Sequence, residues 1–181
     1  MITEELMKKF CAQEDSAGRY TFKDTFVQDG WVYATDARIS VRIKAPKGAK
    51  DSPESQDVKY PKDIKRIFAR NVSKNGLPFP TDAIEYKKLD CDVCAGNGTH
   101  ECGHTMCGHE HVCGVCLGTG ISEFFEPEKF TFNGYCIGGK YLHLISQLPN
   151  AKYLGATAPL GPLHFVFDGG EGVVSQRTDG E

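Results

Sequence analysis

Apolar residues along this chain recur first at a helical interval and then at alternate positions. Over residues 2–12, Met7, Phe10 and Cys11 share one face of a predicted helix. Residues 20–27 (YTFKDTFV) predict a strand, and Gln28, Asp29 and Gly30 supply a turn. WVYATD (31–36) predicts a second strand. A third covers 39–45 (ISVRIKA), where Ile39, Val41 and Ile43 alternate on one face. Residues 45–57 are polar and turn-rich, a loop. YPKDIKRIF predicts a short helix after Pro61, and DAIEY (82–86) another strand.

Past residue 120, ISEFFEPEKFTFNG reads as two extended pieces broken near Pro127. Ile137, Tyr141, Leu144, Ile145 and Leu148 then follow the spacing of a helix with one buried face, and Pro149 lies just beyond as a stop. Lys140, His143 and Gln147 fall on the opposite face. YLGAT, PLHFVF and GVVSQ predict three strands, the last two joined by the turn residues of DGGEG. Both halves share an outline of one helix and a β-meander, so the expectation is an α+β fold built from two such repeats. Residues 1–90 and 121–181 form that discontinuous domain, and 91–120 an insertion.

Composition narrows the class. The 181 residues are 40% hydrophobic and 25% charged, the balance of a folded domain rather than a disordered chain. A formal charge of -3 gives no overall signature of nucleic-acid binding. The opening MITEELMKKF lacks the apolar core of a signal peptide, and no run approaches the roughly 18 apolar residues of a membrane helix. The expectation is a cytoplasmic protein with no membrane partner, in which clustered cysteines hold metal rather than form disulfides.

Six of the eight cysteines and four of the six histidines lie in 91–120. Cys91 and Cys94 form one C-x-x-C pair, Cys113 and Cys116 another, with eighteen residues between the pairs. Two such pairs supply the halves of a tetrahedral thiolate site, which predicts zinc. Both pairs continue alike, CDVCAGNG and CGVCLGTG, and Gly96, Gly98, Gly118 and Gly120 permit the bends the knuckles need. Between them lie His100, Cys102, His104, Cys107, His109 and His111. These read either as a second zinc site, with Cys102 and Cys107 its leading ligands and His104, His109 and His111 candidates for the rest, or as a loop with incidental thiols. A catalytic zinc keeps a position open for water. Four thiolates close the shell, and His109-Glu110-His111 lacks the helical spacing of H-E-x-x-H.

The C-x-x-C-x-G-x-G repeat resembles the cysteine-rich region of the DnaJ-type chaperones. That family carries four copies holding two zinc ions; here two copies are clear and the middle is degenerate. No HPD tripeptide is present, so the resemblance implies only a rigid zinc-held hairpin able to present a surface to another macromolecule.

A second resemblance covers much of the rest. DGWVYATDARISVRI, YPKDIKRIF and FNGYCIGGKYLHLISQLPNAKYLGATAPLGPLHFVFDGG resemble stretches of a DNA polymerase sliding clamp, whose domains are tandem βαβββ units. Bacterial clamps chain three domains per subunit, whereas this sequence holds one, so a ring would take about six copies, a homo-oligomer. Clamp helices line the hole with basic residues; the corresponding candidates here are Lys8, Lys9, Lys140 and His143, set against Glu4 and Glu5. A lone clamp-like domain suits a phage or mobile-element protein acting in its host's cytoplasm.

The resulting expectation is a non-enzymatic, zinc-containing scaffold that contacts a protein of a DNA-replication or DNA-processing complex. Direct nucleic-acid binding is the alternative, with Lys87 and Lys88 just ahead of the hairpin. Against it, 91–120 contains Asp92, Glu101 and Glu110 and no lysine or arginine. A metal-dependent hydrolase at the inner cysteines and histidines is the third reading. Asp36 has no spaced partner carboxylate and is expected to cap a turn.

Overall fold

The computed structural model describes residues 2–12, 22–53, 64–68, 75–101 and 110–177. Two compact units emerge. One comprises Met1–Thr81 and Lys129–Glu181, the other Asp82–Glu128. The fold is mixed helix and sheet, with strands dominant.

The first unit begins with α1 (Glu4–Lys8), β1 (Phe26–Gln28), β2 (Trp31–Thr35), β3 (Ile39–Lys44), α2 (Ile64–Phe68) and β4 (Leu77–Pro78). The second unit contributes β5 (Glu85–Asp90), β6 (Thr99–Glu101), β7 (Glu110–Val112) and β8 (Ile121–Glu126). The chain then re-enters the first unit through β9 (Lys129–Phe132), β10 (Tyr135–Gly138), α3 (Gly139–Ser146), β11 (Lys152–Ala156), β12 (Leu163–Phe167) and β13 (Gly170–Val174).

A seven-stranded antiparallel sheet, in the order β1-β2-β3-β13-β12-β11-β4, organises the first unit. Two meanders thus meet at its centre, where Ile39 pairs with Val174, Val41 with Gly172 and Ile43 with Gly170. Pro78 occupies the edge strand, where its missing N–H costs no ladder bond.

Tyr33 and Ala34 are neighbours on β2 and so point to opposite faces, yet both are fully buried. The middle of the sheet is therefore covered on both sides. On one face Tyr33 joins Phe22, Phe26, Ile64, Phe68 and Val173. Arg42 is held there by Glu171 through Nε and Nη2, at 2.9 and 2.6 Å, with its guanidinium over Trp31. The other face runs Ala34, Val41, Gly172, Phe165, Tyr153 from strand to strand. Gly172 has no side chain because the Phe165 ring lies over it: a Cβ there would collide with the ring. Phe79 meets Phe165, Tyr153 and Phe132 edge-on, at centroid separations of 5.8, 5.5 and 5.9 Å.

The helix predicted over 2–12 is shorter than expected: α1 ends at Lys8, and Phe10 and Cys11 lie in the turns that follow it. Thr3 caps α1 through its hydroxyl, and Met7, Phe10 and Cys11 are buried. Asp36 caps the β2–β3 turn as expected: its Oδ1 accepts from the backbone N–H groups of Arg38 and Ile39 at 2.9 and 2.8 Å.

Three further expectations need correction. The strand over 20–27 is confined to β1 among the described residues, and 22–25 lie outside the sheet ladder. Phe22 is held by its ring against Phe26 and by its carbonyl, which accepts from the Ala12 N–H at 2.8 Å, whereas Phe26 pairs with Tyr33 in the ladder and also stacks on its ring at 5.3 Å. Ile137 belongs to β10, opposite Phe130 of β9, and α3 starts only at Gly139. Over 82–86, Thr81–Ala83 is a turn of 3-10 helix, and the strand starts at Glu85.

Candidate metal centre

The second unit is built around the cysteine pairs. Antiparallel β5 and β8 bring the ends of the cysteine-rich stretch together, with Asp90 opposite Ile121. Tyr86 stacks on Phe125 at 5.2 Å, and its hydroxyl donates to Glu123 at 2.7 Å. The shorter pair β6 and β7 closes the inner part, aligning Thr99, His100 and Glu101 with Val112, His111 and Glu110.

Cys91, Cys94, Cys113 and Cys116 are all buried, and their sulphurs lie within 4.8 Å of one another. The Sγ atoms of Cys91 and Cys113 are 3.8 Å apart, those of Cys94 and Cys116 3.6 Å. A disulfide would need about 2.05 Å. Four sulphurs at a zinc–thiolate bond length of roughly 2.3 Å on a regular tetrahedron sit about 3.8 Å apart. The four thiols therefore fit a tetrahedral metal ion, as their spacing in the sequence predicted.

The two knuckles are related by an approximate twofold. Cys91 N–H donates to the Gly120 carbonyl and Cys113 N–H to that of Gly98, both at 2.8 Å. The backbone N–H groups of Gly98 and Gly120 point at the sulphurs of Cys94 and Cys116, at 3.2 and 3.3 Å. Such donors stabilise thiolate charge. Ala95 and Leu117 occupy the left-handed region at φ 49° and 54°, followed by Gly96 and Gly118 at 83° and 85°. This conformation curls each knuckle back over its sulphurs.

The electrostatics of four adjacent thiols are divided. A backbone N–H from Cys94 is the main influence lowering the Cys91 thiol to about 6, while burial pushes Cys94 up to about 11. A divalent cation would let all four ionise together, because coordination deprotonates a thiol. Four thiolates on one tetrahedral ion would leave no position for water or substrate.

The inner candidates are divided between described and undescribed positions. Cys102, His104, Cys107 and His109 lie outside the described residues. His111 is exposed on β7 directly opposite His100, with ring centroids 6.2 Å apart. Among the described residues, the four-cysteine group is the one cluster of three or more potential ligands.

The basic candidates sit on the first unit. Lys8 pairs with Glu4 at 3.4 Å and Asp24 at 3.6 Å, and Lys9 donates to Gln147 at 2.8 Å. Lys140 is exposed at the start of α3, and His143 is half-buried in its middle. Among the described residues, no helix is long and apolar enough to cross a membrane.

Sequence reasoning missed the β6–β7 ribbon and the pairing of His100 with His111. The near-palindrome THE…EHV was the available signal. It also missed the N–H···S bonds, which arise where the second glycine of each C-x-x-C-x-G-x-G copy turns its amide toward the centre. Comparisons of the chain with family models, with curated proteins and with solved structures each find no match.

Proposed function

We propose that this chain is a non-enzymatic binding protein: a clamp-like α+β body carrying a zinc module that contacts a protein of a DNA-replication or DNA-processing complex. The observation that carries this reading is the closed, buried set of four cysteines. Such a centre organises surface rather than performing chemistry. Zinc suits the all-thiolate tetrahedral donor set better than harder cations do. The clamp-like reading draws support from the order of elements, α1-β1-β2-β3 and α3-β11-β12-β13, and from the way the two meanders join at β3 and β13.

A second zinc at the inner residues is part of the proposal, with Cys102 and Cys107 as ligands and His104, His109 or His111 completing it. Glu101 stands directly opposite Glu110 at the end of the β6–β7 ribbon, a like-charge pairing that a nearby cation would relieve. Direct grip on DNA through Lys8, Lys9, Lys140 and His143 is the weaker reading, since Lys8 already pairs with two carboxylates and Lys9 with Gln147.

A photo-crosslinking residue placed at Glu110 of the full chain tests the reading in the cell of origin, with Lys152 on the first unit as control. Crosslinks from position 110 to a DNA-processing protein are expected. Crosslinks to nucleic acid, or equal products from both positions, would contradict it.

A further inference from the structure

Exposed large apolar side chains are distributed unevenly. Of the nine among the described residues, seven lie in the second unit, and Leu77 and Leu160 are the other two. Four of the seven are immediate sequence neighbours of a cysteine of the centre: Val93, Val112, Val115 and Leu117, at 55%, 64%, 61% and 48% exposure. Val93 and Val115 hold equivalent places inside the two C-x-x-C loops, where a polar residue would serve the metal equally well. Both places thus expose aliphatic side chains that no core requires, and exposed apolar surface is the raw material of binding sites.

Leu117 adds an independent observation. It adopts φ 54°, a left-handed conformation uncommon for a bulky residue and suited to asparagine or glycine. Its side chain is half exposed, so core packing does not account for leucine here. Strain of this kind is retained where a side chain is needed for something other than folding.

Charge points to the occupant. Residues 82–128 hold nine acidic and two basic side chains, a formal charge of -7, while the rest of the chain carries +4. A metal tetrathiolate adds two further negative charges when the ion is divalent. Such a surface repels phosphate and attracts cationic groups.

We infer that the apolar side chains around the cysteine centre are a docking surface for a basic polypeptide segment bearing aliphatic residues, which seat on Val93, Val115 and Leu117 while its lysines or arginines meet the surrounding carboxylates. This rests on the protein-binding reading above and gives it a partner chemistry.

The test uses the full-length zinc-loaded chain and fluorescence anisotropy at about 150 mM salt, where distant charges are screened. The probe is an amphipathic peptide of lysine and leucine. Its counterparts replace every lysine by glutamate or every leucine by serine. Each counterpart is expected to bind at least about tenfold more weakly, the scale of losing central contacts at an interface. Val93→Ser combined with Val115→Ser should weaken the lysine–leucine peptide similarly at unchanged zinc content.

Leu117→Asn separates a binding role from a structural one. It relieves the backbone strain, so zinc retention should hold or improve while peptide affinity falls. Unchanged affinity in Leu117→Asn would overturn the inference. So would equal binding of a 20-base-pair DNA duplex, or reversible self-association of the chain that Leu117→Asn abolishes. If crosslinking places a protein partner at position 110 while Leu117→Asn leaves peptide binding unchanged, only the docking surface fails. If no module-directed crosslink forms, the protein-binding reading itself fails.

Discussion

A Cβ on Gly98 would collide with the carbonyl of Gly118, and the reciprocal collision joins Gly120 to Gly96. The two knuckles are thus pressed together backbone against backbone. Both Gly98 and Gly120 also have positive φ, 77° and 71°. Gly98→Ala or Gly120→Ala should therefore combine steric displacement with backbone strain of about 1–3 kcal/mol. Metal affinity, measured by competition with a chromogenic chelator, should fall by about tenfold or more, since about 1.4 kcal/mol is tenfold. Gly114→Ala, where nothing lies within 4 Å of the added carbon, should leave it unchanged.

Removing one ligand separates the units energetically. Cys91→Ser or Cys116→Ser should abolish metal retention and cooperative structure in residues 82–128, because metal binding is folding energy at such a site. The seven-stranded sheet has its own core in Tyr33, Phe165 and Val174, so its unfolding transition should persist. Near-ultraviolet circular dichroism during thermal melts reads this. Loss of all cooperative unfolding in either variant would show that the body depends on the module.

The cysteine centre was legible because its geometry is local. A tetrahedral site demands two ligands per tight turn, and C-x-x-C-x-G-x-G records both the ligands and the backbone freedom the turn needs. Most strands were legible from alternation, as at Trp31–Thr35 and Leu163–Phe167. Ile137 was not. Its spacing from Tyr141, Leu144 and Ile145 matches a helix, yet it is buried from the end of a strand, because β10 and α3 are consecutive elements that both bury residues there. Gly138, extended at φ -67° and ψ 140°, marks the switch, and periodicity cannot see such a change of period. The exposed valines of the knuckles were equally silent: an alternation or helix pattern assigns no meaning to apolar residues outside regular elements.

Asp36 links the two halves of the body. Its Oδ1 caps the β2–β3 turn, and its Oδ2 accepts from the Tyr141 hydroxyl at 3.0 Å, tying α3 to that turn. Burial, and then the Asp36 carboxylate, push the Tyr141 phenol well above its usual range. Tyr141→Phe should cost about 1.5–3 kcal/mol, the range for a hydrogen bond to a charged group. Asp36→Ala should cost more, since it also strands the Arg38 and Ile39 N–H groups. Urea denaturation of both variants checks the order.

Cys11 should be inert in the folded protein. Burial raises its thiol to about 11 from an ordinary 9.0, so the neutral form is favoured. The stability this thiol contributes is fully present below pH 9 and is lost as pH rises through 11. Iodoacetamide labelling at pH 8, read by peptide mass spectrometry, should modify Cys11 only after denaturant is added. Rapid labelling in buffer would mean that the buried turn after α1 opens readily.

Native mass spectrometry of the full chain, purified without chelator or added metal, decides whether the four cysteines hold zinc, because it weighs bound ions and chain together. The expected mass is that of the chain plus at least one zinc ion, with the added mass lost on acidification and absent in Cys91→Ser. A chain at its metal-free mass, or one lighter by the hydrogens lost to disulfides among Cys91, Cys94, Cys113 and Cys116, would contradict a zinc site there.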